Sequence, residues 1–488
     1  YSPEQLKSTA DMELSMGLNL FVIHSSVHQP LSDKIPGLCL GPYGQWFNRH
    51  ETWAEQATPW ITYLARSSYM LQQGNFVADI IYYYGEDNNI TSLFGVQSPN
   101  IPANYNYDYI NADGLVKVLS FDKGYLTTPG GTNYRILALD NNSRYMTIPV
   151  LKKIRDLVIK GAVVVGPKPL ASPSLKDNQS EFKIISDQLW PSEKGNKNTG
   201  KGIIYSGYSI AEVLNEMQLL PDFDYTKVDE KTNLLFVHRK MPDTDIYWIN
   251  NRNNRPENLT AAFRITGKAA EIWCPVTGKM NKVSYTIEDK YTKVPLNLEP
   301  NDAVFVVFRE KTKAHSLILP EISEKIITSV SGPWEIEFQS DRGAPPKIIL
   351  DDLASWSENN DPGVRYFSGT GAYLKSVFID KQWFEDDKQI IIDLGIVKNL
   401  AEIIINGKSH GIVWKKPFKL DVTDALKPGE NRLEIRITNL WVNRLIGDQQ
   451  PDIIDKYTYT AQTFYYADSP LLLSGLLGPV RFLSLSTN

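Results

Sequence analysis

Apolar and polar positions along this chain follow two regimes. From residue 1 to about 225, stretches with helical spacing alternate with short continuous apolar runs; beyond about 230, period-two alternation between turn residues takes over. In "SPEQLKSTADMELSM", Ser2 as N-cap and Pro3 at the first helical position predict a helix carrying Glu4 and Glu13. Leu18 to Ile23, interrupted only by Asn19, reads as a buried strand. "TWAEQATPWITYLARSSYMLQQG" places Trp60, Tyr63, Leu64 and Leu71 on one helical face, with Gly74 as the stop. "FVADIIYYYG" is a second strand leading to Glu86 and Asp87, and "YDYINADGLVKVL" reads as a short helix. "YRILALD", "AVVVGPKP" and the start of "GIIYSGYSIAEVLNEM" add strands, with an amphipathic helix in "TIPVLKKIRDLVIKG". This αβ rhythm predicts a parallel sheet.

From "NLLFVHRKMPDTDIYWINNRN" to about residue 310 the pattern predicts a β-sandwich. A polar stretch, "REKTKAHSLILPEISEK", leads to a last all-β region containing "KQIIIDLG", "NLAEIIINGKSHG" and "KPGENRLEIRITN". At 488 residues the chain needs several cores.

Composition narrows the function. A net charge of −5 with no long basic block argues against a nucleic-acid partner. Cys39 and Cys274, the two cysteines, exclude a disulfide framework and zinc-type spacing. The apolar tract "SPLLLSGLLGPV" is well short of the ~20 residues that span a bilayer. Tyr1 follows no Met and no signal peptide is visible, so a trimmed start is expected. The 25 Tyr and 11 Trp suit core packing, and also flat polar ligands such as sugars.

In parallel α/β sheets ligands gather at the C-terminal strand ends. There the chain sets His24 and His28 after one strand and Glu86 after another, with Trp46, Arg49, Glu51 and Trp53 in the loop between. Indole faces beside hydrogen-bonding groups are what a sugar site requires. Each residue also has a structural alternative. The histidines could be packed strand-end residues, Glu86 an N-cap or ion-pair carboxylate, and the tryptophans core anchors. Asp108 and Asn111 of "YDYIN" could form a turn and a helix cap. Nucleotide-binding and zinc-protease motifs are absent, and His24 with His28 makes a poor metal pair.

"GLNLFVIHSSVHQP", "GPYGQWFNRHETWAEQATPWITYLARSSYMLQQGNFVADIIYYYGED" and "YDYIN" resemble the catalytic region of glycoside hydrolase family 106, the α-L-rhamnosidases. The order "YRILALD", "MTIPVLKKIRDLVIKGAVVVGPKP", "FVHR" extends the resemblance to about residue 250. "DLGIVKNLAEIIINGKSHGIVWKKPFKLDVT" and "GENRLEIRITNLWVNRLIGD" resemble the jelly-roll, galactose-binding-like domain of that family and of family 2 enzymes.

The resemblance implies a multidomain α/β plus all-β protein. The C-terminal part of a (β/α)8 barrel is expected over 1–130, a flavodoxin-like α/β segment over 131–228, a small β-sandwich over 229–315 and a jelly roll over 316–488. It implies hydrolysis of terminal α-L-rhamnosyl bonds in a complex polysaccharide, with inversion. That chemistry uses an acid and a base about 6.5–9.5 Å apart. The family's two glutamates fall upstream of Tyr1, which leaves Glu86 as the catalytic candidate of this chain. His24, His28, Trp46, Arg49, Glu51, Trp53, Asp108 and Asn111 would contact substrate. No cofactor is required for the chemistry, calcium is implied as an aid to sugar binding, and a periplasmic or secreted location is expected. The alternatives are a non-enzymatic carbohydrate-binding fragment, which needs an exposed ring near Trp334, Trp356 or Trp414, and a family 2 or 42 galactosidase.

Overall fold

The computed structural model describes residues 1–41, 45–86, 99–141 and 143–487; Asp87 lies outside them. Helix α1, Pro3–Ser15, starts in a capping box between Ser2 and Gln5, with Pro3 in its first turn. Its buried stripe contains two charged residues, Lys7 and Asp11, beside Pro3, Ala10 and Leu14. Helix α2, Thr58–Leu71, buries the predicted face of Trp60, Tyr63, Leu64 and Leu71. The buried charges join these helices to the strand Asp245–Asn251. Lys7 Nζ lies 2.5 Å from Asp11 Oδ2, which accepts Asn250 Nδ2 at 3.2 Å, while Tyr63 OH donates to Asp11 Oδ1.

Between α1 and α2 the structure departs from the hydropathy pattern. Residues 18–23 form no strand and pair with none among the described residues, with a bend at Leu20. Leu18 and Phe21 pack inward on the helical core, while Leu20, Val22 and Ile23 are exposed. Its exposure does not alternate, since neighbours Val22 and Ile23 both face solvent, and no described backbone completes a ladder with it, so it is not a strand.

Strands Ile80–Tyr83, Tyr107–Ile110, Ile136–Leu139, Val163–Val165 and Gly202–Ser206 are parallel members of a six-stranded sheet, with Gly195–Thr199 as an antiparallel edge. Counted along the chain, the parallel strands lie in the order 2-1-3-4-5, that of flavodoxin-type sheets. Helices Ile148–Lys160 and Gln179–Leu189 cover one face, and Ile210–Glu216 covers the other. Ile80–Tyr83 and Tyr107–Ile110 therefore belong to this sheet and not to a barrel, because they hydrogen-bond to each other and to Ile136–Leu139. A division at residue 130 would cut through one sheet. Within "YDYINADGLVKVL", the first four residues are strand and the helix is Ala112–Lys117.

Residues 223–317 form a β-sandwich of two five-stranded sheets, one of which gains a sixth, edge strand from Asn75–Phe76, paired with Arg239 and Lys240. Residues 322–487 form a second sandwich, of a four-stranded and a six-stranded sheet. A single apolar cluster joins these parts. Leu14, Trp60, Tyr63 and Leu64 of α1 and α2 meet Val237, Trp248 and Phe305 of the first sandwich and Leu400, Trp414 and Leu440 of the second. Trp334, Trp356 and Trp414 are all buried, so none offers the exposed ring that a binding face on the second sandwich would need.

Candidate functional site

The second sandwich extends a long loop, 441–474, toward residues 29–53. The two-residue strands Pro36–Gly37 and Tyr459–Thr460 pair in parallel, and Trp441 Nε1 donates to the His50 carbonyl at 2.9 Å. Internal bonds give the loop its shape. Asn443 Oδ1 accepts from Leu472 N at 2.8 Å and its Nδ2 donates to Leu472 O at 2.7 Å. Buried Arg444 lies 3.0 Å from Asp448 and 5.1 Å over the ring of Tyr457. Asp448 Oδ2 accepts from Thr458 N and Oγ1 at 2.7 and 2.6 Å.

Where the two segments meet they leave a cleft of about 250 Å³, walled by Tyr1, Gln45, Trp46, Phe464, Tyr465 and Leu472. Trp46 and Phe464 meet edge to face, ring centres 5.4 Å apart. The Trp46 Nε1 donor is buried and unpartnered among the described residues. Behind this wall Glu51 Oε2 accepts from the Gln45 amide, while Oε1 accepts from Thr52 N and Oγ1 at 2.8 and 3.1 Å. Burial raises the Glu51 carboxyl to about 7, opposed in part by the Thr52 bonds. His50, beside it in sequence, is held below its ordinary value by burial first, then by Arg49 and Arg342.

The structure brings some of the sequence candidates together and separates others. Trp46 lines the cleft and Glu51 orients its Gln45. Arg49 supports the segment by donating to the Gln29 carbonyl at 2.7 Å. Trp53 is a core residue, 2% exposed, with Nε1 on the Tyr1 carbonyl at 3.2 Å. His24 and His28 are exposed and follow no core strand.

The remaining candidates lie on the α/β sheet. Glu86 receives Thr147 N at 2.5 Å and Thr147 Oγ1 at 3.0 Å, so it serves the N-terminus of helix Ile148–Lys160. Asn111 caps helix Ala112–Lys117 by accepting from Gly114 N at 2.8 Å, and Asp108 accepts from Tyr134 OH at 3.0 Å. Asn111 is thus the helix cap that the sequence left open, whereas Asp108 sits in a strand and not a turn, and Glu86 holds the N-cap Thr147 without being the cap itself. The sequence reading missed Phe464, Tyr465 and Trp441; "TFYYAD" signals only aromatic density, and pairing across some four hundred positions has no local pattern.

Aromatic faces and an oriented amide can hold a saccharide. None of the described cleft walls carries a carboxylate, so they supply neither an acid nor a base to a glycosidic bond. Among the described residues no three His, Cys, Asp or Glu side chains converge as metal ligands. No helix of the described chain is long and apolar enough to cross a membrane.

Residues 1–287 match the family model for alpha-L-rhamnosidase, and residues 304–468 match that for the sugar binding domain of family 2 glycosyl hydrolases. The chain is similar to the structure of a rhamnosidase from Novosphingobium sp. PP1Y, with 41% identity and a TM-score of 0.94 over 99% of this chain and 46% of that one. A Formosa agariphila protein provisionally named a beta-glucuronidase is 26% identical over 98% of this chain and 61% of its own length. A Leuconostoc mesenteroides beta-galactosidase is 22% identical over 22% of this chain and 13% of its own length.

Proposed function

From the premise that the chain belongs to the α-L-rhamnosidase family of glycoside hydrolases, we propose that the protein it represents hydrolyses terminal α-L-rhamnosyl bonds of a complex polysaccharide, with inversion. The observation that carries this is the 41% identity to a rhamnosidase across 99% of the chain. The chain spans 46% of that rhamnosidase's length, so the activity is proposed for the whole protein. In this reading the second sandwich is a jelly roll of the sugar-binding type, and its loop 441–474 and the Trp46 segment form one wall of a saccharide site. Trp46, Phe464 and Tyr465 offer apolar faces to the sugar, Gln45 offers an amide, and Glu51 is a positioning residue acting through Gln45. The acid and base would come from a (β/α)8 domain. Glu86 is not carried forward, because both its oxygens are engaged in capping.

Calcium as an aid to sugar binding stays with the family resemblance, and the roles proposed above do not use it. A periplasmic or secreted location is the reading the family supports. The rival non-enzymatic reading loses its support with Trp334, Trp356 and Trp414 buried. The galactosidase reading rests on a match to 22% of the chain.

The test is hydrolysis of aryl α-L-rhamnoside, β-galactoside and β-glucuronide by the whole protein, with the anomer of the released sugar followed by NMR. Release of rhamnose as the inverted anomer is expected. Preferential cleavage of either other glycoside would overturn the proposal.

A further inference from the structure

A separate cleft of about 690 Å³ lies between the α/β sheet and the first sandwich, within the size range of small-molecule sites. Its walls include Asn75, Tyr125, Asn133, Arg135 and Lys240. The Arg135 guanidinium carbon lies over the Tyr125 ring, 4.1 Å from its centre. Among the described residues its backbone N–H is bonded, to Asp79 O at 2.7 Å, while its guanidinium makes no hydrogen bond and no close ion pair. Stacking fixes such a fork while leaving its N–H edge available for a planar anion.

The other charges of the cleft leave this cation in excess. Asp79 takes both its oxygens to Arg264 Nη2, at 3.0 and 2.9 Å, and Arg264 also donates to Leu220 O at 2.6 Å. Asp222, 3.5 Å behind Arg264, is matched by His238 at 2.8 Å. Lys240 has only a 4.0 Å approach to Asp245, whose carboxylate is already held by His238 at 3.2 Å and Lys268 at 2.7 Å. Asp79 also acts on Arg135 at longer range, so Lys240 and Arg135 face the cleft with partial compensation, in a protein whose net charge is −5. Neutral polar groups accompany them. At Gly131, which has φ +87, an added Cβ would come within 2.9 Å of Asn75 Nδ2, so the absence of a side chain lets the Asn75 amide reach this wall. Asn133 adds a second amide.

We propose that this cleft is a second carbohydrate-binding site, taking a saccharide unit that bears a carboxylate or sulfate, with Arg135 receiving the anion and Asn75 and Asn133 the hydroxyls. It is independent of the Trp46 cleft and of the rhamnosidase reading.

The experiment is calorimetric titration of the chain with methyl β-D-glucuronide, glucose 6-sulfate and, as the neutral comparison, methyl β-D-glucoside. One saturable site for at least one anionic probe is expected, binding the neutral glycoside about tenfold more weakly or not measurably. Arg135→Gln should weaken the anion about tenfold or more, Arg135→Lys less, and Lys240→Gln several-fold, while Trp46→Ala leaves it unchanged. Raising the salt should weaken it further. Lys240 is exposed, so its variant keeps the test decisive if Arg135→Gln fails to fold. Equal binding of the neutral glycoside, absence of saturable binding by both anions, or unchanged affinity in the folded variants would overturn the proposal.

Discussion

The indole Nε1 of Trp441 donates a hydrogen bond to the carbonyl oxygen of His50 at 2.9 Å, across 391 positions of chain. Trp441 is 1% exposed, and the bond fixes where the C-terminal loop closes over the Trp46 segment. Trp441→Phe keeps most of the packing but strands a carbonyl, and should cost about 1–3 kcal/mol. Trp441→Ala should cost about 3–5 kcal/mol. Urea denaturation of both variants reads these values, and a loss below 0.5 kcal/mol for the alanine variant (taking about 0.5 kcal/mol as the usual surface effect) would show that the loop is held elsewhere.

Trp46→Ala in the whole protein removes an aromatic face from the proposed saccharide wall. Aromatic contacts of this kind contribute about 0.5–1.5 kcal/mol, so KM for a rhamnoside should rise about 2- to 12-fold with kcat little changed. Steady-state kinetics decides this; a fall in kcat with KM unchanged would place Trp46 in the chemical step instead.

Glu86→Ala removes acceptors from the start of helix Ile148–Lys160 and should lower stability by about 0.5–1 kcal/mol without changing rhamnoside turnover. Thermal unfolding and an activity assay on the same preparation separate this from catalysis. Abolished turnover at unchanged stability would return Glu86 to the reaction.

His238 is buried between Asp222, 2.8 Å from Nδ1, and Asp245, 3.2 Å from Nε2. Burial alone would lower its pKa, but the two carboxylates outweigh this and raise it above the ordinary 6.5. A raised folded value means its contribution to stability is full below about pH 6.5 and fades as pH climbs through the folded value. Burial acts to raise Asp222 and Asp245, yet His238 and their other partners hold both below 3.8, so their contributions are present above that pH and fade in acid. The melting temperature should therefore fall as the pH rises above about 6.5 in wild type, and this decline should be absent in His238→Gln. That variant should itself lose about 3–5 kcal/mol by leaving two buried carboxylates short of a cation. Parallel melting profiles in the two proteins would remove His238 as the cause.

Much of this architecture was legible because its signals are local. The capping residues of α1, the apolar face of α2 and the runs Ile136–Leu139 and Val163–Val165 are set by neighbours in sequence. Leu18–Ile23 misled because a strand is defined by a partner, and hydropathy does not report whether one exists. Glu86 and Asn111 misled in a related way. A polar residue after a strand is as useful to the next helix as to a substrate, and the sequence cannot say which takes it. The Trp46 cleft was half legible: its N-terminal wall shows as an aromatic cluster, while its C-terminal wall is brought there by the fold.

The apolar cluster that α1 and α2 share with both sandwiches makes the modules interdependent. Trp248 of one module and Trp414 of another touch the same Tyr63, with ring centres 6.4 and 5.5 Å apart. A recombination event that exchanged either sandwich alone would expose the indoles of its abandoned neighbour. Replacing either sandwich alone would therefore require a matched surface at this joint for the remaining parts to stay folded.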